Sequence, residues 1–281
     1  MNKKIIAGSA ALLSAGAAVG AFAGDKLIKT TEYTLDTGKA HGEITAVAVS
    51  DLHFSVFGKN NCRLTAKVRK AEPDIILLPG DFFDCKGGKS NRELVINTIR
   101  AFSEIAPVYF SPGNHDLRYN ARTGEDCLDL AKQAGASVLN GEYSDIEIKN
   151  TNLRIGGIFD HAVYEEDYYN RWRESEVYGF LSDFQSTDKI KLLMLHRPNT
   201  FIYTEDLWNI DAVFSGHDHG GLWRLPFIGG VYAPEQGFFP KYDNGEYDFG
   251  NMKMFLCAGL EGYYIVPRLF NPPEILKITI K

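Results

Sequence analysis

Five of the seven histidines in this 281-residue chain stand in short polar clusters, each directly after an apolar run. The clusters are Asp51-Leu52-His53, Gly80-Asp81-Phe82-Phe83-Asp84, Gly113-Asn114-His115-Asp116, His196-Arg197-Pro198 and Gly216-His217-Asp218-His219. Imidazole nitrogens and carboxylate oxygens are the donors that Mn²⁺, Fe and Zn²⁺ accept. An Asp-x-His or His-x-His spacing would turn both side chains to one side of an extended segment, because strand side chains repeat every second residue. One four-coordinate ion cannot use so many donors, whereas two ions sharing a bridging carboxylate can. Taken singly, each residue has a plainer reading: a histidine is most often a satisfied core or surface residue. An aspartate at a strand end, Asp84 in particular, is most often a helix N-cap. It is the coincidence of five clusters at five strand ends that favours a site.

The elements that must position these residues are legible as hydrophobic periodicity. Residues Ile44 to Val49, Ile75 to Leu78 and Val108 to Phe110 are apolar, partly β-branched runs, while Arg63 to Ala71 and Leu94 to Ile105 have helical spacing. This β-α-β-α-β order predicts a parallel sheet covered on both faces. A helix is expected over Cys127 to Gly135 and a charged surface helix over Glu165 to Glu176. Strands are expected at Ile146 to Ile148, Leu153 to Ile158, Leu192 to Leu195, Ala212 to Phe214, Met254 to Cys257 and Ile275 to Ile280. A strand-rich second half predicts two sheets packed together with helices outside, an α/β fold. In open α/β sheets the carboxyl ends of the strands converge on one crevice.

Composition narrows the function. A hydrophobic fraction of 44% is that of a globular protein. The net charge of -6 excludes the basic footprint of a nucleic-acid-binding protein, so phosphate chemistry here would need positive charge from bound ions. Lys3 and Lys4 precede Ile5 to Gly24, a run with no charged residue. It reads as a membrane anchor or as an export signal cleaved near Ala21-Phe22-Ala23, with the anchor favoured and the rest of the chain outside the cytoplasm. Residues 25–40 read as a tether and 41–281 as one domain. The four cysteines lack CxxC spacing and are not metal-ligand candidates. The Gly-, Tyr-, Phe- and Pro-rich stretch from Phe227 to Tyr247 is either an ordinary covering loop or one that shapes a pocket or meets lipid headgroups.

In their order, the five clusters resemble the calcineurin-like metallophosphoesterase family from residue 44 to about residue 220. The segments Gly220-Gly221, Arg224-Leu225-Pro226, Tyr232-Ala233-Pro234-Glu235-Gln236-Gly237 and Pro267 to Glu274 resemble its bacterial membrane-associated branch of YkuE-like and UDP-diacylglucosamine pyrophosphatase-like proteins. The resemblance implies a four-layer α-β-β-α sandwich of two mixed sheets with flanking helices and an active site at the strand C-terminal ends. It implies two divalent metal ions, with Asp51, His53 and His219 on one, Asn114, His196 and His217 on the other, and Asp81 bridging. His115 would be the general acid, with Asp116 fixing its tautomer. The implied substrate is a phosphodiester, pyrophosphate or phosphomonoester, lipid- or nucleotide-linked, met at a membrane surface and hydrolysed by in-line attack of a metal-bridging hydroxide. Cys85-Lys86-Gly87 stands where serine/threonine protein phosphatases carry Arg-Gly, which weakens a protein-phosphatase reading. The alternative from another class is a catalytically idle, metal-bound binding module, and the intact His115-Asp116 pair speaks against it.

Overall fold

The computed structural model describes residues 27–159, 176–199, 208–261 and 267–281. The N-terminal uncharged run, His161 and all but the last residue of the helix expected over Glu165 to Glu176 lie outside the described residues. Among the described residues no helix is long and apolar enough to cross a membrane.

Two six-stranded sheets form the centre. The first contains β1 (Lys29–Leu35), β2 (Ile44–Ala48), β3 (Ile75–Pro79), β4 (Val108–Ser111), β5 (Ala136–Val138) and, from the far end of the chain, Glu274–Ile280, in the order β1, Glu274–Ile280, β2, β3, β4, β5. The second contains β6 (Glu142–Ile148), β7 (Thr151–Ile158), β8 (Ile190–Leu195) and β9 (Ala212–Ser215), extended past β9 by Lys253–Leu256 and Gly245–Asp248. Between β9 and these lie two small hairpins, β10 (Arg224–Leu225) with β11 (Gly229–Gly230) and β12 (Tyr232–Ala233) with β13 (Gly237–Phe238). The remaining strands are then β14 (Gly245–Asp248), β15 (Lys253–Leu256) and β16 (Glu274–Ile280). Strands β2 to β5 run parallel to one another, as do β7, β8, β9 and β15, and both sheets are mixed because β16 pairs antiparallel with β2, and β6 with β7.

The period-two alternation of the strands divides their side chains between cores. Ile75 and Leu77 of β3 enter the core between the sheets with Leu192 and Met194 of β8 and Ala212 and Phe214 of β9. Ile76 and Leu78 turn the other way, onto Leu64 and Val68 of the helix Cys62–Lys70 and Val95, Ile99 and Phe102 of the helix Gly88–Ser103. On the far side Leu193, Leu195 and Val213 meet Leu181 and Phe184 of the helix Glu176–Phe184. Because the central strands bury both faces they are apolar at nearly every position, which is why they were conspicuous in sequence. The expected layering of helices, two mixed sheets and helices is the observed one.

One expectation needs correction. Lys29–Leu35, expected as part of a tether, is an edge strand paired in parallel with β16 from Lys29↔Glu274 to Leu35↔Ile280. Its sequence, KTTEYTL, has no continuous apolar face, since an edge strand buries little of itself.

Candidate metal centre

All five clusters leave their strands at the same end of the molecule. Asp51 and His53 follow β2, Asp81 and Asp84 follow β3, Asn114 to Asp116 follow β4, His196 follows β8, and His217 and His219 follow β9. The sheets are tied together here. His196 Nδ1 donates to the carbonyl of Pro79 at 2.8 Å, and the His217 N–H donates to Asp51 Oδ1 at 3.1 Å.

The local backbone is not the extended segment that the alternating spacing suggested. Asp51, His53, Asp81, His217 and His219 all have positive φ, between 46° and 72°. Left-handed backbone costs a non-glycine residue roughly 1–3 kcal/mol. Five such residues in one cluster mean that the side chains are aimed by tight turns past the strand ends, not by strand alternation. Gly80, at φ +86°, makes the first of these turns, and a Cβ there would meet Gly113 N and His196 Nδ1, both at 2.7 Å. Only a glycine lets the β3, β4 and β8 loops close on one another at this point.

Three groups of possible donors result among the described residues. Asp51, His53 and His219 converge in one donor set and Asp81, His196 and His217 in a second, while His53 also meets Asp84 and His115 in a third group. Asp81 stands between them. Its Oδ1 accepts the His115 N–H at 2.7 Å, and its Oδ2 lies 3.0 Å from His196 Nε2 and 3.6 Å from His53 Nε2. Asn114, half-buried at the start of the helix Asn114–Thr123, has its amide Oδ1 3.5 Å from Nε of Arg197, the residue after His196.

The fit to metal ions is tested by the imidazoles. His53 Nδ1 is bound by Asp84 at 3.2 Å and His196 Nδ1 by a carbonyl that can only accept, which leaves each Nε2 lone pair facing the site. Those Nε2 atoms, and Nε2 of His217, are buried and make no hydrogen bond. Buried ring nitrogens left this way are costly unless a cation receives them. The clusters therefore fit a dinuclear divalent centre.

Electrostatics agree. Burial, with His196 beside one and His53 beside the other, pushes His217 and His219 well below the ordinary imidazole range, so both are in the neutral, ligating form. Burial opposes charge on His53 and His196 too, but it is outweighed at His53 by the hydrogen bond with Asp84 and at His196 by the Asp81 carboxylate, and both are raised to about 9. In the ion-free chain these two rings are thus charged at pH 7, and incoming ions must displace their protons. Ion binding at neutral pH is expected to release about two protons, with affinity rising as pH climbs toward 9. Calorimetry in buffers of different ionisation enthalpy measures the release, and a value of zero would mean that both rings are already neutral.

Two roles differ from expectation. Asp116 does not touch the His115 ring: it is fully buried and accepts the N–H groups of Asp81, Phe82, Phe83 and Gly113 at 2.7 to 3.0 Å. With both oxygens taken by backbone donors, it joins the β3 loop to the first turn of the helix Asn114–Thr123. Asp84 holds His115 instead, with Oδ2 2.7 Å from Nδ1. It is also the expected N-cap, through Lys86 N at 2.7 Å. Burial would raise the Asp84 carboxyl, but His115, His53 and the Lys86 N–H hold it well below the carboxylate range. Two further acids were not anticipated. Glu261 Oε2 lies 3.5 Å from Nε2 of both His53 and His219, and Glu235 Oε1 lies 3.3 Å from His217 Nε2 and 3.5 Å from Arg197. Glu261 stands just beyond β15, so the strand-end rule applied to that strand would have found it.

The family model for calcineurin-like phosphoesterases matches residues 44–221. Among relatives, the uncharacterized metallophosphoesterase YkuE of Bacillus subtilis is 26% identical over 262 residues, covering 91% of this chain and 86% of that protein. Phosphodiesterase YaeI of Escherichia coli is 25% identical over 237 residues, covering 83% and 80%. UDP-2,3-diacylglucosamine pyrophosphatase LpxG of Chlamydia muridarum is 24% identical over 278 residues, covering 84% and 82%. With the matched span running from the first residue of β2 through both donor sets, the chain belongs to the calcineurin-like phosphoesterases and is a metal-dependent phosphoric ester hydrolase.

Proposed function

We propose that the chain hydrolyses a phosphodiester or pyrophosphate bond in an amphiphilic substrate at a membrane surface. The observation that carries the hydrolytic part is the pair of donor sets meeting at Asp81 Oδ2, with the Asp84-held His115 alongside. In this reading Asp51, His53 and His219 hold one ion, Asn114, His196 and His217 the other, and Asp81 both. When bound, two divalent ions supply an acidified water and neutralise charge on the phosphoryl oxygens. The chain's own residues do the rest. Asp84 accepts from Nδ1 of His115, which commits the opposite nitrogen to the reacting group. As the water oxygen bonds to phosphorus and the P–O bond to the leaving group breaks, His115 gives that leaving oxygen its proton. Arg197, with Glu235 Oε1 and Asn114 Oδ1 each 3.5 Å away, adds positive charge beside the second donor set.

The membrane part rests on exposed apolar side chains. Among the described residues, Trp223, Phe227, Ile228, Tyr232, Phe238 and Phe239 are exposed in the hairpin region that follows His219. Leu27 and Phe270 are exposed beside the starts of β1 and β16, and Val56 three residues past His53. All these segments leave the sheets at the end that carries the donor sets, because β16 runs antiparallel to β2 and β1 parallel to β16. Exposed apolar clusters of this kind mark membrane or partner surfaces, and the relatives include an enzyme whose name specifies a diacylated nucleotide sugar.

The test is a panel with the full, metal-reconstituted chain: a monoester, a diester and a nucleotide-sugar pyrophosphate, each with and without anionic lipid vesicles. Turnover of the diester or pyrophosphate above the monoester, with sedimentation on vesicles that Phe227→Ser and Phe238→Ser weaken, is the expected result. An ion-loaded chain that turns over none of the three would be the idle binding module.

A further inference from the structure

The loop after β15 is built to present one acid. The Leu260 N–H lies 3.2 Å from the carbonyls of both Ser50 and Asp51, which pins the loop onto the β2 turn. Arg268, fully buried, donates from Nε to the Glu261 carbonyl at 2.7 Å and from its terminal nitrogens to the carbonyls of Ala258 and Asn271. Gly259, at φ +68°, passes so close to Asp51 that a Cβ would lie 2.7 Å from the Asp51 Cβ. Glu261 is therefore fixed beside the first donor set, and its side chain is nearly inaccessible to solvent.

The position of its carboxylate is that of a ligand. Two donor atoms about 2.1 Å from one ion, and 90–110° apart, are separated by about 3.0–3.4 Å. Glu261 Oε2 lies 3.5 Å from Nε2 of His53 and 3.5 Å from Nε2 of His219. That is too long for a hydrogen bond to either ring, and close to the spacing expected if all three atoms face a common point. An ionised carboxylate this buried is stable only beside a cation. The His53 ring has Asp51, Asp81 and Asp84 around it already.

We propose that Glu261 is a further ligand of the ion held by Asp51, His53 and His219, making that position selective for Mn²⁺ over Zn²⁺. The inference rests on the two-ion reading of the site. The first position then offers three carboxylates and two imidazoles, while the second offers one carboxylate, one amide and two imidazoles. A five-donor, oxygen-rich position suits Mn²⁺, whereas zinc settles for four.

The experiment is a Mn²⁺ titration of the ion-stripped full chain, with free Mn²⁺ followed by electron paramagnetic resonance and the same titration repeated with Zn²⁺. The wild-type chain should take up two ions. Glu261→Gln should weaken one Mn²⁺ site by about 10- to 100-fold, leave the other at its wild-type affinity and change Zn²⁺ uptake much less. Glu261→Asp, which keeps the charge but draws the oxygens back by one methylene, should show the same one-site loss. Either folded variant binding two Mn²⁺ ions with wild-type affinities would overturn the assignment. A wild-type chain that binds fewer than two ions would overturn the two-ion reading, and the role of Glu261 with it.

Discussion

His115→Asn is expected to slow hydrolysis of an alkyl phosphate ester by ~10²–10⁴-fold while changing turnover of a nitrophenyl ester by less than ~10-fold. The difference arises because an alkoxide leaves only as it is protonated, whereas a nitrophenolate leaves without help. The ring stands edge-on to His53, with centroids 4.6 Å apart, and is tied by other groups than an ion. Its Nδ1 is occupied by Asp84 at 2.7 Å, its backbone N–H by Asp81 at 2.7 Å, and its side chain is 20% exposed where the buried donors are nearly closed to solvent. The variant should therefore keep both ions, which elemental analysis checks. Equal losses on the two substrates would remove His115 from the acid role. Loss of an ion would instead make it part of the metal's support.

Much of this site was legible because its chemistry demands residue types that apolar strands do not otherwise carry. Asp51, His53, Asp81, His196, His217 and His219 stood out against the buried runs before them, and the structure brings all six together. What was not legible is which acid serves which donor. Asp116 is the sequence neighbour of His115, yet its carboxylate is taken by the Gly113 N–H at its own helix start and by the N–H groups of Asp81, Phe82 and Phe83 in the β3 loop. Asp84, thirty-one residues away in sequence, is the spatial neighbour. The same logic hid Glu235, a lone acid in a loop with no periodic signal, whereas Glu261, in the loop that follows β15, was open to the strand-end rule. In the fold, the two-faced strands announced themselves, whereas β1 and the helix Asn114–Thr123 did not. The first is an edge strand, and the second, NHDLRYNART, buries only Asp116 and Tyr119 and so shows no apolar stripe.

The substitution expected to do most damage is Asp81→Asn. The two oxygens of Asp81 are not equivalent: Oδ1 is fixed by the His115 N–H, and Oδ2 faces Nε2 of both His53 and His196. Burial alone would raise the Asp81 carboxyl, but His196 and His53 hold it well below the usual carboxylate range, which favours the ionised form. In the variant, the His115 N–H still needs an acceptor, and the amide oxygen is the only one the new side chain has. The amide NH₂, which has no lone pair to give, is then left at the shared position between the donor sets. In the two-ion reading proposed above, both ions would lose their common ligand and the negative charge that offsets their mutual repulsion. Elemental analysis is expected to find both depleted, and activity on every phosphate ester to fall together, in contrast to the leaving-group-dependent loss at His115. If Asp81→Asn retained two ions per chain, Asp81 would not be the bridge, and the two sets would have to be joined through Asp51 or through solvent instead.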